Sequence, residues 1–282
     1  MKLWTLAILL MVFAAADGLA AESEWRFDAW DGRDFGVRMY VPDNAGPDTN
    51  IVIVMHGASR DAPRYFRDWK ALGEKLGFIV VVPEFTREQF NGSARYNLGF
   101  VFEPKTGRQR AEPEWTFSAI EPLFDAVVAR TPSKQEHYTI YGHSAGAQFV
   151  HRFLYYKSET RASRYIAANA GWYTLPLNEF EYPYGLLNAG VDDTQLARIF
   201  ASQLILLLGE KDTDVAGRSL RRTPEAQQQG PHRLARGMTM FRTAKARAED
   251  LGLEFNWQII FVKDAHHSNA LMAPTAAAIA AE

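Results

Sequence analysis

The sequence predicts an α/β fold, in which a mostly parallel central β-sheet carries helices on both faces. Short runs rich in Val and Ile alternate along the chain with longer segments whose apolar residues recur at helical spacing. Several of the short runs are apolar throughout, which is typical of strands buried on both faces. The chain has 282 residues, of which 47% are hydrophobic and 23% charged, and this composition suits one large globular domain.

The predicted elements follow one another in a regular order. Two antiparallel strands come first, at residues 25–30 and 35–41, joined by a turn at 31–33. Further strands are predicted at residues 51–55, 78–83, 138–141, 165–170, 204–208 and 255–262. Helices are predicted at residues 65–76, 115–129, 145–156 and 234–251 and in the alanine-rich C-terminal segment. A strand–crossover–strand pattern repeated in this way implies parallel strands covered by helices.

The N-terminus has a different character from the rest of the chain. Lys2 precedes an apolar run at residues 3–16, and small residues follow at Gly18 and Ala20. This pattern predicts a signal peptide at residues 1–20 and a single mature domain at residues 21–282, exported to the periplasm or secreted. The apolar run is shorter than the ~20 residues that cross a bilayer, so no stable membrane insertion is expected.

Composition excludes several kinds of chemistry. The chain has no cysteine, which rules out disulfides, thiolate catalysis and cysteine-ligated zinc. The formal net charge of −2 gives no indication of a nucleic-acid partner.

Two segments interrupt the alternation and are predicted to be loop insertions, at about residues 172–200 and 215–237. Both follow strands at the edge of the sheet where open α/β folds bind ligands. Trp172 and Tyr173 stand at the start of the first segment, and we expect them to line a substrate pocket; the alternative is that they are core aromatics.

The second segment is rich in arginine. These residues could attract an acidic substrate, but a solvated face paired with Glu225 is the interpretation we favour. The arginines are Arg218, Arg221, Arg222, Arg233 and Arg236.

The pentapeptide Gly142-His143-Ser144-Ala145-Gly146 has the form G-x-S-x-G. An apolar strand runs directly into it and a helix begins directly after it, which is the setting of a nucleophile elbow. Ser144 is therefore the predicted nucleophile. The glycines allow the strand and the helix to approach closely around a strained serine.

Acyl transfer to a serine also needs N–H groups that stabilise the oxyanion. Ala145 would supply one backbone donor at the start of its helix. Ala58 is predicted to supply the second, from the loop after the strand at residues 51–55, with Ser59 as the alternative.

A histidine base and a carboxylate must complete the site. His267 and His266 follow the last strand, and we prefer His267 because it lies nearer the terminal helix. Asp212 and Asp214 follow the strand at residues 204–208, and we prefer Asp212. The order serine, acid, histidine is the one expected in this fold.

Together, the motifs around His56-Gly57, Ser144, Asp212 and the two late histidines resemble the α/β-hydrolase superfamily, in its secreted esterase branch of polyhydroxyalkanoate depolymerase-like and feruloyl-esterase-like proteins. The resemblance covers nearly all of the mature chain, although the absence of cysteine departs from the secreted branch. It implies Ser144 as nucleophile, Asp212 as acid, His267 as base, and Ala58 with Ala145 as oxyanion donors.

The sequence thus predicts a serine hydrolase that cleaves small or polymeric carboxylic esters through a covalent acyl-enzyme, with no cofactor and no metal. Two alternatives remain open. One is a serine peptidase or amidase with the same triad, and the other is a hydrolase-fold binding protein without catalysis.

Overall fold

The computed structural model describes residues 21–282, so the predicted signal peptide at residues 1–20 lies outside the described part of the chain. Eight strands form one sheet. Their bounds are β1 Ala21–Phe27, β2 Phe35–Val41, β3 Ile51–Met55, β4 Ile79–Glu84, β5 Tyr138–His143, β6 Ala162–Ala168, β7 Leu204–Gly209 and β8 Gln258–Val262.

The strand order is β1-β2-β4-β3-β5-β6-β7-β8. β1 and β2 pair antiparallel, as do β2 and β4, and every other pair of neighbours is parallel. From β3, the chain first crosses to β4 on one side and later returns to β5 on the other. The order therefore reverses between β3 and β5, and a ligand crevice is expected outside the carboxyl ends of these two strands.

The described residues form seven α-helices. Their bounds are α1 Ala62–Leu76, α2 Ile120–Val128, α3 Ala145–Tyr156, α4 Asp193–Ala201, α5 Pro224–Gln228, α6 Arg233–Leu251 and α7 Asn269–Ala281. α1 and α7 pack in one hydrophobic core, while α2, α3, α4 and α6 pack in the other. Alternate residues of the central strands enter the two cores, Ile53 one and Val52 the other, because successive side chains of a strand point to opposite faces. The predicted α/β architecture is confirmed.

The helix predicted at residues 115–129 is shorter than expected. Two 3₁₀ turns, Glu112–Glu114 and Thr116–Ala119, precede α2. Thr116 donates its backbone N–H to the Gly99 carbonyl at 2.7 Å and its hydroxyl to the Arg95 carbonyl at 2.9 Å. Since these bonds go to a distant segment, the first turn of the predicted helix does not form.

The two predicted loop insertions contain helices that sequence reasoning missed. α4 occupies the end of the first segment and begins with a capping box formed by Asp192 and Gln195. α5 lies inside the second segment, and α6 begins there after the capping residue His232. Among the described helices, none is long and apolar enough to cross a membrane.

Candidate active site

Ser144 lies at a sharp turn between β5 and α3. Its backbone has φ 59° and ψ −114°, a conformation that a residue with a side chain rarely adopts. Its backbone N–H donates to the Ala168 carbonyl on β6 at 2.9 Å. The turn thereby holds the serine side chain at the carboxyl end of β5, beside the crevice.

The two glycines of the pentapeptide are required by close backbone contacts. A Cβ at Gly146 would lie 2.1 Å from the carbonyl oxygen of Met55 on β3. A Cβ at Gly142 would lie 2.2 Å from the carbonyl carbon of Gly146. Both contacts are with backbone atoms that cannot move aside, so the turn can pack against β3 only with glycine at both positions.

Three side chains from distant parts of the sequence form a chain of hydrogen bonds at this turn. The Ser144 Oγ lies 3.1 Å from His267 Nε2. The other ring nitrogen of His267, Nδ1, lies 2.7 Å from Asp212 Oδ2. His267 is partly exposed, whereas the side chain of Asp212 is only 1% exposed, so the carboxylate is shielded from water.

Asp212 is fixed by both its backbone and its side chain. Its N–H donates to the Gly209 carbonyl at 3.1 Å, and its own carbonyl accepts from Leu234 at 3.2 Å. The buried guanidinium of Arg233 lies 3.5 Å from Asp212 Oδ1 and also donates to the Ser219 hydroxyl at 2.9 Å. Sequence reasoning gave Arg233 no such position, because only the fold brings the start of α6 against the loop after β7.

The alternative residues lie outside the hydrogen-bonded chain. Asp214 is exposed and accepts a hydrogen bond from the Ala216 N–H at 2.8 Å, which is a local turn contact. His266 is exposed. The described structure therefore brings together Ser144, His267 and Asp212.

His143 packs directly behind the candidate base. Its ring centroid lies 4.7 Å from that of His267, and its Nδ1 lies 2.8 Å from the Tyr65 hydroxyl. Burial lowers the pKa of His143 well below its usual value, so the ring is neutral at physiological pH. The His267 ring thus packs, at a tilt of 35°, against a neutral neighbour whose Nδ1 is hydrogen-bonded to Tyr65.

The loop after β3 lies close to Ser144. A Cβ at Gly57 would be 3.6 Å from the Ser144 Cβ, which shows how closely the loop approaches the serine. His56 anchors this loop, because its Nε2 accepts from the Phe85 N–H at 3.1 Å. Ala58 and Ala145 line one cavity of about 410 Å³, whereas Ser59 is not among the residues that line it.

The two aromatic residues predicted to line a pocket have different positions. Trp172 lines the cavity beside Ala145 and packs its ring 4.8 Å from that of Tyr184. Tyr173 is fully buried in the main core and does not line the cavity, which corrects the expectation for it. Its backbone N–H donates to the side-chain amide of Gln229 and its carbonyl accepts from the same amide, both at 2.8 Å, which fixes the backbone at this position.

The arginine-rich segment is only in part the solvated face that we favoured, because Arg218, Arg221 and Arg222 are exposed whereas the other two arginines are buried. Arg233 and Arg236 are 2% and 1% exposed. Arg236 donates to three backbone carbonyls, those of Gly171, Arg221 and Gly230. Arg218 and Arg221 line the cavity, and within residues 21–282 no ion pair involves Glu225.

Several cavity residues were not found by sequence reasoning. Arg60, Arg87, Asn97 and Gln148 line the same cavity. Arg60 stands only two residues after Ala58, but Arg87 and Asn97 belong to a long connection after β4 that carries no motif. A larger cavity of about 540 Å³ lies elsewhere, around Leu98 and Tyr182, and includes none of the predicted site residues. Over residues 21–282, no group of three or more His, Cys, Asp or Glu side chains converges to hold a metal ion.

Three buried histidines predict a loss of stability in mild acid. Burial lowers the pKa of His56 to about 3 and the pKa values of His143 and His151 well below the usual value. In the unfolded chain these rings take up protons near pH 6.5, so below that pH the unfolded state binds more protons than the folded state. The free energy of unfolding should then fall by up to about 1.4 kcal/mol per pH unit for each ring.

Urea unfolding between pH 8 and about pH 5 measures this effect. Replacement of the exposed His137 by alanine should leave the pH dependence unchanged. An unfolding free energy that stays constant over this range would contradict the prediction.

Comparison with known proteins gives close structural relatives. The structure of poly(aspartic acid) hydrolase-1 from Sphingomonas sp. KT-1 is similar with a TM-score of 0.90 and 41% identity, over 93% of this chain and 98% of that chain. LpqC, a poly(3-hydroxybutyrate) depolymerase from Bordetella parapertussis, is similar with a TM-score of 0.87 and 31% identity, over 93% and 89% of the two chains.

More distant structures share the fold alone. An S-formylglutathione hydrolase from Staphylococcus aureus has a TM-score of 0.59 and 13% identity, over 94% of this chain and 100% of that chain. A scan against protein-family models gave no match, and a search of curated protein sequences gave none either. The close relatives are hydrolases that cover nearly the whole described chain. The protein is therefore a hydrolase, and it belongs to the esterase branch of the α/β-hydrolase superfamily.

Proposed function

We propose that the protein is a serine hydrolase that cleaves carboxylic esters, with Ser144 as nucleophile, His267 as base and Asp212 as acid. One observation carries the proposal: the unbroken chain of hydrogen bonds from the Ser144 hydroxyl through His267 to the buried carboxylate of Asp212. This arrangement activates a serine for attack on a carbonyl group.

The reaction proceeds in two halves. His267 Nε2 takes the proton of the Ser144 hydroxyl while the oxygen forms a bond to the ester carbonyl carbon. The tetrahedral intermediate then expels the alkoxide leaving group, which receives the same proton from the imidazolium. In the second half, His267 deprotonates a water molecule that attacks the acyl-enzyme, and Ser144 regains its proton as the carboxylic acid leaves.

Asp212 keeps the imidazole in the productive orientation. Its Oδ2 accepts from Nδ1 of His267, so Nε2 is left free to accept the serine proton. The negative charge also stabilises the imidazolium that forms during each half-reaction. Because Asp212 is buried, water screens this interaction only weakly.

The oxyanion is assigned to two backbone donors, the N–H groups of Ala58 and Ala145. Ala145 is the first residue of α3, whose positive end favours the developing negative charge. Ala58 lines the same cavity, and the Arg87 guanidinium donates to the Ala58 carbonyl at 2.8 Å. That bond restrains the Ala58–Ser59 peptide group, which follows directly after the proposed donor N–H.

A second candidate function is hydrolysis of amides by the same triad. The relative that is 41% identical is named for poly(aspartic acid), a polymer whose units are joined by amide bonds. An amine leaves less readily than an alcohol, so proton donation from His267 would contribute more to the rate. Ester cleavage remains the first proposal, since the relative that is 31% identical is named for a polyester.

The test combines active-site labelling with paired substrates. A fluorophosphonate probe should label the wild-type protein and should not label Ser144→Ala. Ser158→Ala, at an exposed serine beyond α3, should label like the wild type. Labelling of Ser144→Ala at the wild-type level would overturn the nucleophile assignment, and absence of wild-type labelling would favour a binding protein.

A nitrophenyl ester and a nitroanilide with the same acyl group then separate the two functions. Faster cleavage of the ester at the triad supports the esterase, whereas efficient cleavage of the anilide supports the amidase.

A further inference from the structure

The cavity beside Ala145 has an unusual lining. Four arginines line it, and none of its lining residues is Asp or Glu. Two of these arginines, Arg60 and Arg87, come from the loop after β3 and the connection after β4. The other two, Arg218 and Arg221, come from the segment between β7 and α5. Cations therefore face the cavity from two separate parts of the fold.

These four guanidinium groups have no carboxylate partner within residues 21–282. Arg60 donates to the carbonyls of Phe85, Phe90 and Gly92, and Arg87 to that of Ala58. Arg221 donates to the Tyr184 hydroxyl at 2.9 Å. Such partners satisfy N–H groups but leave the positive charge uncompensated.

A shortage of acidic residues does not explain this lining. The chain has 33 Asp and Glu residues against 31 Lys and Arg residues. Some arginines outside the cavity do pair with carboxylates, for example Arg161 with Glu121 at 2.8 Å and Arg247 with Asp193 at 2.9 Å. In the cavity, by contrast, four arginines stand together and no lining residue supplies a negative charge.

Buried cations behind the cavity add to the local charge. Arg152 is fully buried, and its guanidinium lies 4.2 Å from the centre of the Trp172 ring. Arg236 is also buried, and neither residue forms an ion pair within the described chain. Burial lowers the pKa values of Arg60, Arg152 and Arg236 to about 10, so all three remain protonated at neutral pH.

A buried cation without a counterion is costly, and a ligand that supplies negative charge offsets that cost. A concave surface of one sign also concentrates ligands of the opposite sign. The planar fork of arginine fits a carboxylate with two parallel hydrogen bonds.

We infer that this cavity binds carboxylate groups of the substrate, so the protein acts on acyl chains that carry a free carboxylate near the bond to be cleaved. Arg218 and Arg221 make the direct contacts, because both are exposed on the cavity wall. Arg60 and the buried Arg152 supply the surrounding positive field. The inference rests on the proposed function, since it takes Ser144 as the point of attack.

The experiment compares two esters of equal acyl length, monoethyl succinate and ethyl butyrate, which differ in the terminal carboxylate; the ethanol leaving group is poor enough that the succinate carboxylate does not cleave its own ester. The wild type should show the higher kcat/KM for the succinate ester. In the double variant Arg218→Ala/Arg221→Ala, the ratio of the two kcat/KM values should fall by roughly ten- to a hundredfold, the effect of losing hydrogen bonds to a charged group.

Arg222→Ala is the matched control. Arg222 lies on the same segment but donates to the carbonyls of Val215 and Gly217 and does not line the cavity. The control should leave the ratio within about twofold, as expected of a surface substitution. An unchanged ratio in the double variant, or an equal fall in Arg222→Ala, would overturn the inference.

Binding to an inactive protein separates this inference from the proposed function. In the Ser144→Ala background, a tetra-aspartate peptide should bind measurably by calorimetry, and the added pair Arg218→Ala/Arg221→Ala should weaken the binding about tenfold or more. Binding that depends on the arginines would support the carboxylate subsite even if Ser144 were not the nucleophile, because this measurement involves no catalysis. No binding, or binding indifferent to the arginines, would contradict the carboxylate subsite.

Discussion

Replacement of Ser144 by alanine is expected to lower kcat for a nitrophenyl ester by about a million-fold, to the rate left by binding and the oxyanion donors alone. The change removes one oxygen atom, and the strained turn that holds it is fixed by backbone contacts at Gly142 and Gly146. The fold should therefore persist while the covalent pathway is lost. Steady-state kinetics on the purified variant measures the fall, and circular dichroism checks the fold.

A fall of less than about a hundredfold in kcat would show that Ser144 is not the nucleophile, because a lost nucleophile costs far more. Ser158→Ala again provides the control, since this exposed serine lies far along the chain from the turn and should keep the wild-type kcat.

Replacement of Asp212 by asparagine is expected to lower kcat by about ten-thousand-fold. An amide can donate to His267 Nδ1, which turns the imidazole into the tautomer that cannot accept the serine proton. The variant also leaves the Arg233 guanidinium, at 3.5 Å, facing a neutral group in a buried position. We therefore expect a lower free energy of unfolding as well.

Asp214→Asn distinguishes the acid from its neighbour in the sequence. Asp214 is exposed and accepts only a turn hydrogen bond from Ala216, so its replacement should change kcat by less than about threefold, as is usual at the surface. A large loss in Asp214→Asn together with near-normal activity in Asp212→Asn would reverse the assignment.

The sequence predicted the parts of the molecule that depend on local patterns. The apolar strand before Gly142 and the helix that begins at Ala145 are both encoded in neighbouring residues, so the elbow could be located without a structure. His267 and Asp212 could be predicted because each follows a recognisable late strand. In a parallel sheet the carboxyl ends of such strands meet at one edge.

The parts that depend on long-range contacts could not be predicted. Arg87 reaches the Ala58 carbonyl across 29 positions of sequence, and no periodicity marks that pairing. Tyr173 and Trp172 are both aromatic and adjacent in sequence, but only the fold shows that Tyr173 enters the core while Trp172 lines the cavity. The arginine-rich segment was misinterpreted because charge alone does not reveal which guanidinium groups become buried.

The position of Arg233 couples the wall of the cavity to Asp212, and this coupling limits which mutations of the wall the protein can accept. One guanidinium contacts Asp212 and donates to Ser219, which belongs to the cavity wall. A substitution that shifts this wall also moves the neighbour of the Asp212 carboxylate or leaves an N–H of Arg233 without its acceptor. We therefore expect mutations that reshape this wall to change the position of Asp212 as well. A second mutation would then be needed to restore the contact between Arg233 and Asp212.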